Sequence, residues 1–165
     1  MPADLAIALM SHLESFPEML AGIGEGVRRV AKPERAAGDA EVFSGADALD
    51  AARAGWRAIE REGALQTPFQ SYAVAEASIA AHRAHGHEPH IVLIREGGSV
   101  VAILPLVMTS MAGSKVLRFL GDPLIQYGDA ILSRAGSEAH LMQALLATGT
   151  LGADAVLFRK VRNDA

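Results

Sequence analysis

The chain has 165 residues, a formal net charge of −4, and a composition that is 50% hydrophobic but only 5% aromatic. That is about one domain's worth of polymer, with a core to be built mainly from Ala, Leu, Val and Ile. The absence of cysteine excludes disulfides and thiolate metal sites, and no basic stripe interleaved with aromatics exists to neutralise the phosphates of a nucleic acid.

The N-terminus, MPADLAIALMSHLES, carries Asp4 where a secretion signal carries positive charge, and no small-residue cleavage pattern follows its apolar run. The longest apolar runs, such as Val100–Met108, are far too short to span a bilayer. A cytoplasmic protein without a transmembrane segment is the expectation.

Residues 1–37 read as a separate N-terminal helical extension, with 38–165 as the main domain. Leu13, Phe16, Leu20, Ile23, Val27 and Val30 recur at spacings of three and four, one stripe on a helix. Ser15, Pro17 and Glu18 make a start signal for that helix, and Gly22, Gly24 and Gly26 weaken it. The stripe suits either packing within the chain or docking on a partner.

From Glu41 the punctuation sharpens. Glu41–Ser44 is a short strand candidate, followed by a helix from about 46 to 63. Leu49, Ala52, Trp56 and Ile59 form its inward stripe, and Gly63 stands at the C-cap. Thr67-Pro68-Phe69-Gln70 is a capping box with proline at the first helical position, predicting a helix from there to His85, closed by Gly86. His90–Glu96 and Ser99–Met108 are apolar runs joined by Gly97-Gly98, the pattern of a tight hairpin. Pro105 lacks a ladder donor, so the second strand should end, bulge or lie free there. Lys115–Leu120 is a third strand and Asp129–Ser133 a short fourth. Ser137 then caps a helix with Leu141, Ala144 and Leu145 on its apolar face, Met142 beside them and Thr148 continuing it; Gly149 should end it. Ala153–Arg159 is the last strand. Antiparallel strands before a strand–helix–strand crossover indicate an α/β fold, a mixed but mostly antiparallel sheet with helices packed on it. A final apolar edge strand calls for a cover, from further C-terminal sequence or a partner chain.

Trp56, then TPFQS (67–71), GGSVVAILPL (97–106), LRFLGDPLIQYGD (117–129) and ADAVLFRKVRND (153–164) together resemble the front portion of the BioF2-like, or CelD-like, acyltransferases. These are GNAT-related proteins, distantly similar to the FemAB peptidyltransferases. The resemblance spans roughly 41–164 and implies a GNAT-like partial domain on the acceptor side of an acyltransferase. It further implies acyl-CoA as co-substrate, and a small-molecule or cell-envelope precursor bearing an amine or hydroxyl as acceptor. The acyl-CoA site is expected outside this chain, leaving the isolated chain inactive.

The pyrophosphate cradle of such proteins needs backbone N–H groups at a strand-to-helix turn. Arg35-Ala-Ala-Gly38-Asp-Ala40 fits the motif formally but follows no strand. Arg134-Ala135-Gly136 and Gln126-Tyr127-Gly128 are each one residue short. His82, His85, His87 and His90 crowd into HRAHGHEPH, a metal-like density without a metalloprotease spacing; the surface and helix-end reading of these histidines is preferred, with no metal cofactor. The polar loop Gly121–Asp129 has the best claim to function: Asp122 or Asp129 could orient an acceptor, with Gln126 and Tyr127 beside them. Phe69 and Gln70 are further substrate-side candidates, although capping and packing also account for them. No serine sits in a GxSxG elbow. Beside the acyltransferase reading stands a non-catalytic assembly module that uses the sheet edge and the 13–30 stripe.

Overall fold

The computed structural model describes residues 39–123 and 128–158, all within the second of the two units into which the chain divides, Arg35–Ala165. The expected helical extension at 1–37 lies outside the described residues.

Six strands form one sheet. β1 (Asp39–Ser44), β2 (Glu88–Glu96), β3 (Ser99–Met111) and β4 (Ser114–Phe119) are successive antiparallel neighbours. β6 (Ala155–Leu157) lies parallel to β4, and the two-residue β5 (Ile131–Leu132) pairs with β3 at Ala102–Ile103. Helices α1 (Ala48–Arg61) and α2 (Tyr72–Ala84) connect β1 to β2, and α3 (Glu138–Ala147) lies in the crossover to β6. The element order is the one read from the sequence, and the fold is a mixed α/β sheet with helices packed on it.

β2 and β3 read as continuous apolar runs because both faces of the sheet are covered. Ile91, Leu93, Ile103 and Val107 pack with Leu49, Ala52, Trp56, Ile59, Tyr72 and Ile79 of α1 and α2. Val92, Ile94, Leu104 and Leu106 point the other way, into a second cluster with Ala144 of α3. The four α1 residues predicted to face inward are all buried. The β2–β3 connection is the expected two-residue hairpin, with Gly97 and Gly98 both at positive φ (57° and 81°).

Four details sharpen or correct the expectations. The Thr67–Gln70 box caps a single 3₁₀ turn, Pro68–Gln70, and the α-helix begins afresh at Tyr72 under Ser71, whose hydroxyl accepts from the Val74 N–H. The first helix signal was right in kind but one turn early. Of the three expected outcomes at Pro105 the strand neither ends nor bulges but lies free on one edge; β3 runs to Met111, and Pro105 stands opposite Ile91 of β2. Its missing donor faces the other edge, where β4 has ended at Phe119 and β5 has not begun, so no acceptor is left waiting. Its carbonyl on that edge accepts from the Leu120 N–H at 3.0 Å. Ser137 caps α3 as expected, in a box with His140, whose Nδ1 lies 3.0 Å from the Ser137 hydroxyl and accepts from the Ser137 N–H at 3.2 Å. Finally, α3 passes into a 3₁₀ turn (Thr148–Leu151), and the left-handed closing residue is Gly152 (φ 66°) rather than Gly149.

Candidate functional site

The split between β4 and β5 generates the site. Both strands pair with β3, but towards its two ends, so the chain leaves β4 and enters β5 on either side of the level of Pro105. There it meets α2 and the end of α1. A cavity of about 30 Å³ lies at this junction, room for roughly two waters given that one needs about 10–15 Å³. Phe119, Leu120 and Gly121 form one wall, Gly128, Asp129 and Ile131 another, and Trp56, Phe69, Gln70, Val74, Ala75 and Ser78 close the helical side over Pro105.

Close approach of backbone and small side chains sets its shape. A Cβ on Gly128 would stand 2.8 Å from Phe119 Cγ, so only glycine lets the returning chain lie on that ring. Phe119 also packs against Phe158, ring centroids 4.5 Å apart and planes tilted by 32°. Trp56 is 1% exposed, edge-on to Tyr72 at 5.9 Å, and its indole N–H donates to the Gln70 carbonyl at 2.9 Å. Gln70 is fixed in turn: its Oε1 accepts from the Gln66 and Thr67 N–H groups (2.7 and 3.2 Å), and its Nε2 donates to the Ala130 carbonyl at 2.9 Å.

The sequence candidates therefore separate. Phe69, Gln70 and Asp129 converge on the cavity, and Asp129, half-buried, is the one ionisable side chain among its described lining residues. Asp122 does not line it. Its carboxylate, 4% exposed, is paired with Arg118 of β4: Oδ2 accepts from Arg118 Nε at 2.9 Å and also from Nη2, while Oδ1 is buried without a hydrogen-bond partner. A buried ion pair of this kind clamps the start of the loop to the strand it leaves. Gln126 and Tyr127 lie outside the described residues. Trp56, Ala75 and Ser78 join the site without having been singled out for it. They belong to helix stripes, and a stripe says which face is inward but not that the sheet beneath is split.

Three histidines gather at the end of α2. His82, 5% exposed, has its Nδ1 3.1 Å from Nδ1 of His87, and the His87 ring lies 6.0 Å from that of His85. Burial pushes His82 below the ordinary imidazole pKa; a backbone contact with Leu120 opposes this, and the charges of His87, Arg118 and His85 add to it. His90, the fourth of the run, is apart from them in β2, with Nδ1 2.7 Å from the Ser44 hydroxyl, and burial lowers its pKa too. Among the described residues no three His, Asp or Glu side chains are grouped so as to hold a metal ion. No described helix is long and apolar enough to cross a membrane.

No protein-family description and no curated protein matches the chain. Among solved structures it is similar to a putative acetyl transferase from Pyrococcus furiosus (15% identity over 77% of this chain and 85% of that one, TM-score 0.38). It is also similar to glucosamine-6-phosphate N-acetyltransferase from Arabidopsis thaliana (14%, 73% and 82%, TM-score 0.39). A third is ribosomal-protein-alanine N-acetyltransferase from Brucella melitensis biovar Abortus 2308 (12%, 76% and 83%, TM-score 0.40). Likeness of this degree transfers neither activity nor substrate to this chain.

Proposed function

We propose that this chain is the acceptor-side portion of a GNAT-like acyltransferase, presenting an amine or hydroxyl to an acyl thioester. The observation that carries the reading is the cavity at the end of β4, apolar on most sides and bearing Asp129 as its single described ionisable group. Such transfers need mainly proximity and removal of a proton from the acceptor. A carboxylate beside an apolar cup suits both, holding an N–H or O–H in place and accepting its proton. The BioF2-like sequence segments agree with this use, since Phe119, Leu120, Gly121, Gly128 and Asp129 of the 117–129 segment line the cavity. Acyl-CoA is the implied donor, with its groove formed outside these residues, and the cell interior is the compartment where that donor is found.

A second reading rests on the β6 edge, where Val156 is 46% exposed: a non-catalytic module that docks a partner along the open strand. Binding separates the two. Trp56 is the chain's single tryptophan and lines the cavity, so short amines and alcohols that enter it should change its emission, and Asp129→Asn should weaken the response at least tenfold. Calorimetry of the isolated chain should show no micromolar affinity for acetyl-CoA. Micromolar acetyl-CoA binding would refute the placement of the donor groove, and silence of Trp56 towards every amine and alcohol would refute the acceptor site.

A further inference from the structure

The His82–His87 contact lies directly behind the cavity. Ser78, one turn before His82 on α2, lines the cavity, and Leu120, whose backbone meets the His82 ring, is part of its wall. Two imidazole nitrogens 3.1 Å apart can be joined only by one proton between them, with one ring donating and the other accepting. The backbone holds the rings to this geometry, because the His82 carbonyl accepts from both the His85 and His87 N–H groups (3.0 and 3.1 Å) around Gly86 at φ 71°.

We infer that the His82–His87 pair is an acid-sensitive latch, closed by a shared proton and opened by a second, that holds the Leu120–Gly121 wall of the cavity against α2. A first proton taken from solvent leaves the latch intact, since a charged His87 still donates its Nδ1–H to a neutral His82. A second proton, on His82 Nδ1, sets two N–H groups and two positive charges against each other.

The surroundings offer no relief. Among the described residues, the charged or titratable groups that face His82 are His85 at the end of its own helix, His87 across the turn and Arg118 on β4. All are cations or can become so, and the nearest carboxylate in this chain of contacts, Asp122, is already bound to Arg118. The outward route is open: His87 is half-buried and follows an exposed glycine turn, so the turn can swing away while β2 stays in place. Losing His87 exposes the His82 ring to water and removes the support behind Leu120.

The test uses the whole chain and two readouts. Imidazole NMR should show His82 titrating below the ordinary histidine value of about 6.5. Trp56 emission should change with that step. In His87→Gln, which keeps a neutral hydrogen-bonding side chain, the emission change between pH 7.5 and 5 should vanish. A His82 ring that titrates at or above about 6.5 would overturn the latch, as would an emission change that survives His87→Gln. Neither result bears on acyl transfer, because no donor or acceptor is present.

Discussion

Gln70 Nε2 donates to the Ala130 carbonyl oxygen across sixty positions of sequence, a 2.9 Å bond that ties the turn before α2 to the chain returning from the site loop. The residue beside that anchor is Asp129. The same amide takes two backbone N–H groups on its oxygen, so the side chain that caps a local turn also fixes the distance between the helical wall and the loop wall of the cavity.

Gln70→Ala should therefore act in two ways. It strands the Gln66 and Thr67 donors and the Ala130 acceptor, which should cost about 1–3 kcal/mol in urea unfolding with an unchanged m-value. It should also broaden the Trp56 response to added amines or alcohols, because Asp129 loses its fixed position. A Gln70→Ala protein as stable as the native one would show that water or another group replaces the amide.

How far the sequence speaks can be judged from these residues. Period and punctuation disclosed every described strand, the hairpin at Gly97-Gly98 and the inward face of α1, because each depends on neighbours within a few positions. Gln70 was legible as a cap but not as a tie, since Ala130 lies sixty residues on. Asp129 and Asp122 looked equivalent in the loop, and only the fold puts one in the cavity and the other under Arg118. That Pro105 should end, bulge or free its strand was legible, but which of the three was not: its lost donor is harmless because β4 and β5 divide the length of β3 between them, which is a fact about topology.

The packing of α1 on β3 sets helix propensity against sterics. Replacing a mid-helix glycine by alanine ordinarily gains about 0.8–1 kcal/mol. At Gly55 the new Cβ would stand 2.8 Å from Val100 Cβ, on a strand with no freedom to retreat. Overpacking of about 1–3 kcal/mol should win, so Gly55→Ala should lower the unfolding midpoint. Adding Val100→Ala should recover part of the loss, a coupling that a double-mutant cycle measures. Simple additivity of the two changes would show that the helix moves instead.

Stability should fall with acid through the buried histidines. His82 and His90 both have folded pKa values pushed below the unfolded value of about 6.5, chiefly by burial. The unfolded chain then binds more protons than the folded one just below that value, so stability is full above about pH 6.5 and declines as pH drops through the folded pKa values. Urea midpoints measured from pH 7.5 to 5 should decrease. His90→Gln, which retains a partner for the Ser44 hydroxyl, should reduce the slope, and an identical slope in that variant would assign the whole effect elsewhere.

Gly128 tests whether the cavity is the acceptor site. Its α-carbon lies on the Phe119 ring, and an alanine methyl would come within 2.8 Å of Cγ. Phe119 cannot slide away freely, because Phe158 packs against it at 4.5 Å between ring centroids and β4 fixes its backbone. The returning chain must therefore give, carrying Asp129 with it and narrowing a space of about 30 Å³. Gly128→Ala should weaken the Trp56 response to amines and alcohols more than its modest destabilisation, about 1–3 kcal/mol, would suggest. Gly128→Ala/Phe119→Leu should regain binding by making room for the methyl group. Full binding in the single variant would mean that acceptors approach by a route the Gly128–Phe119 contact does not control.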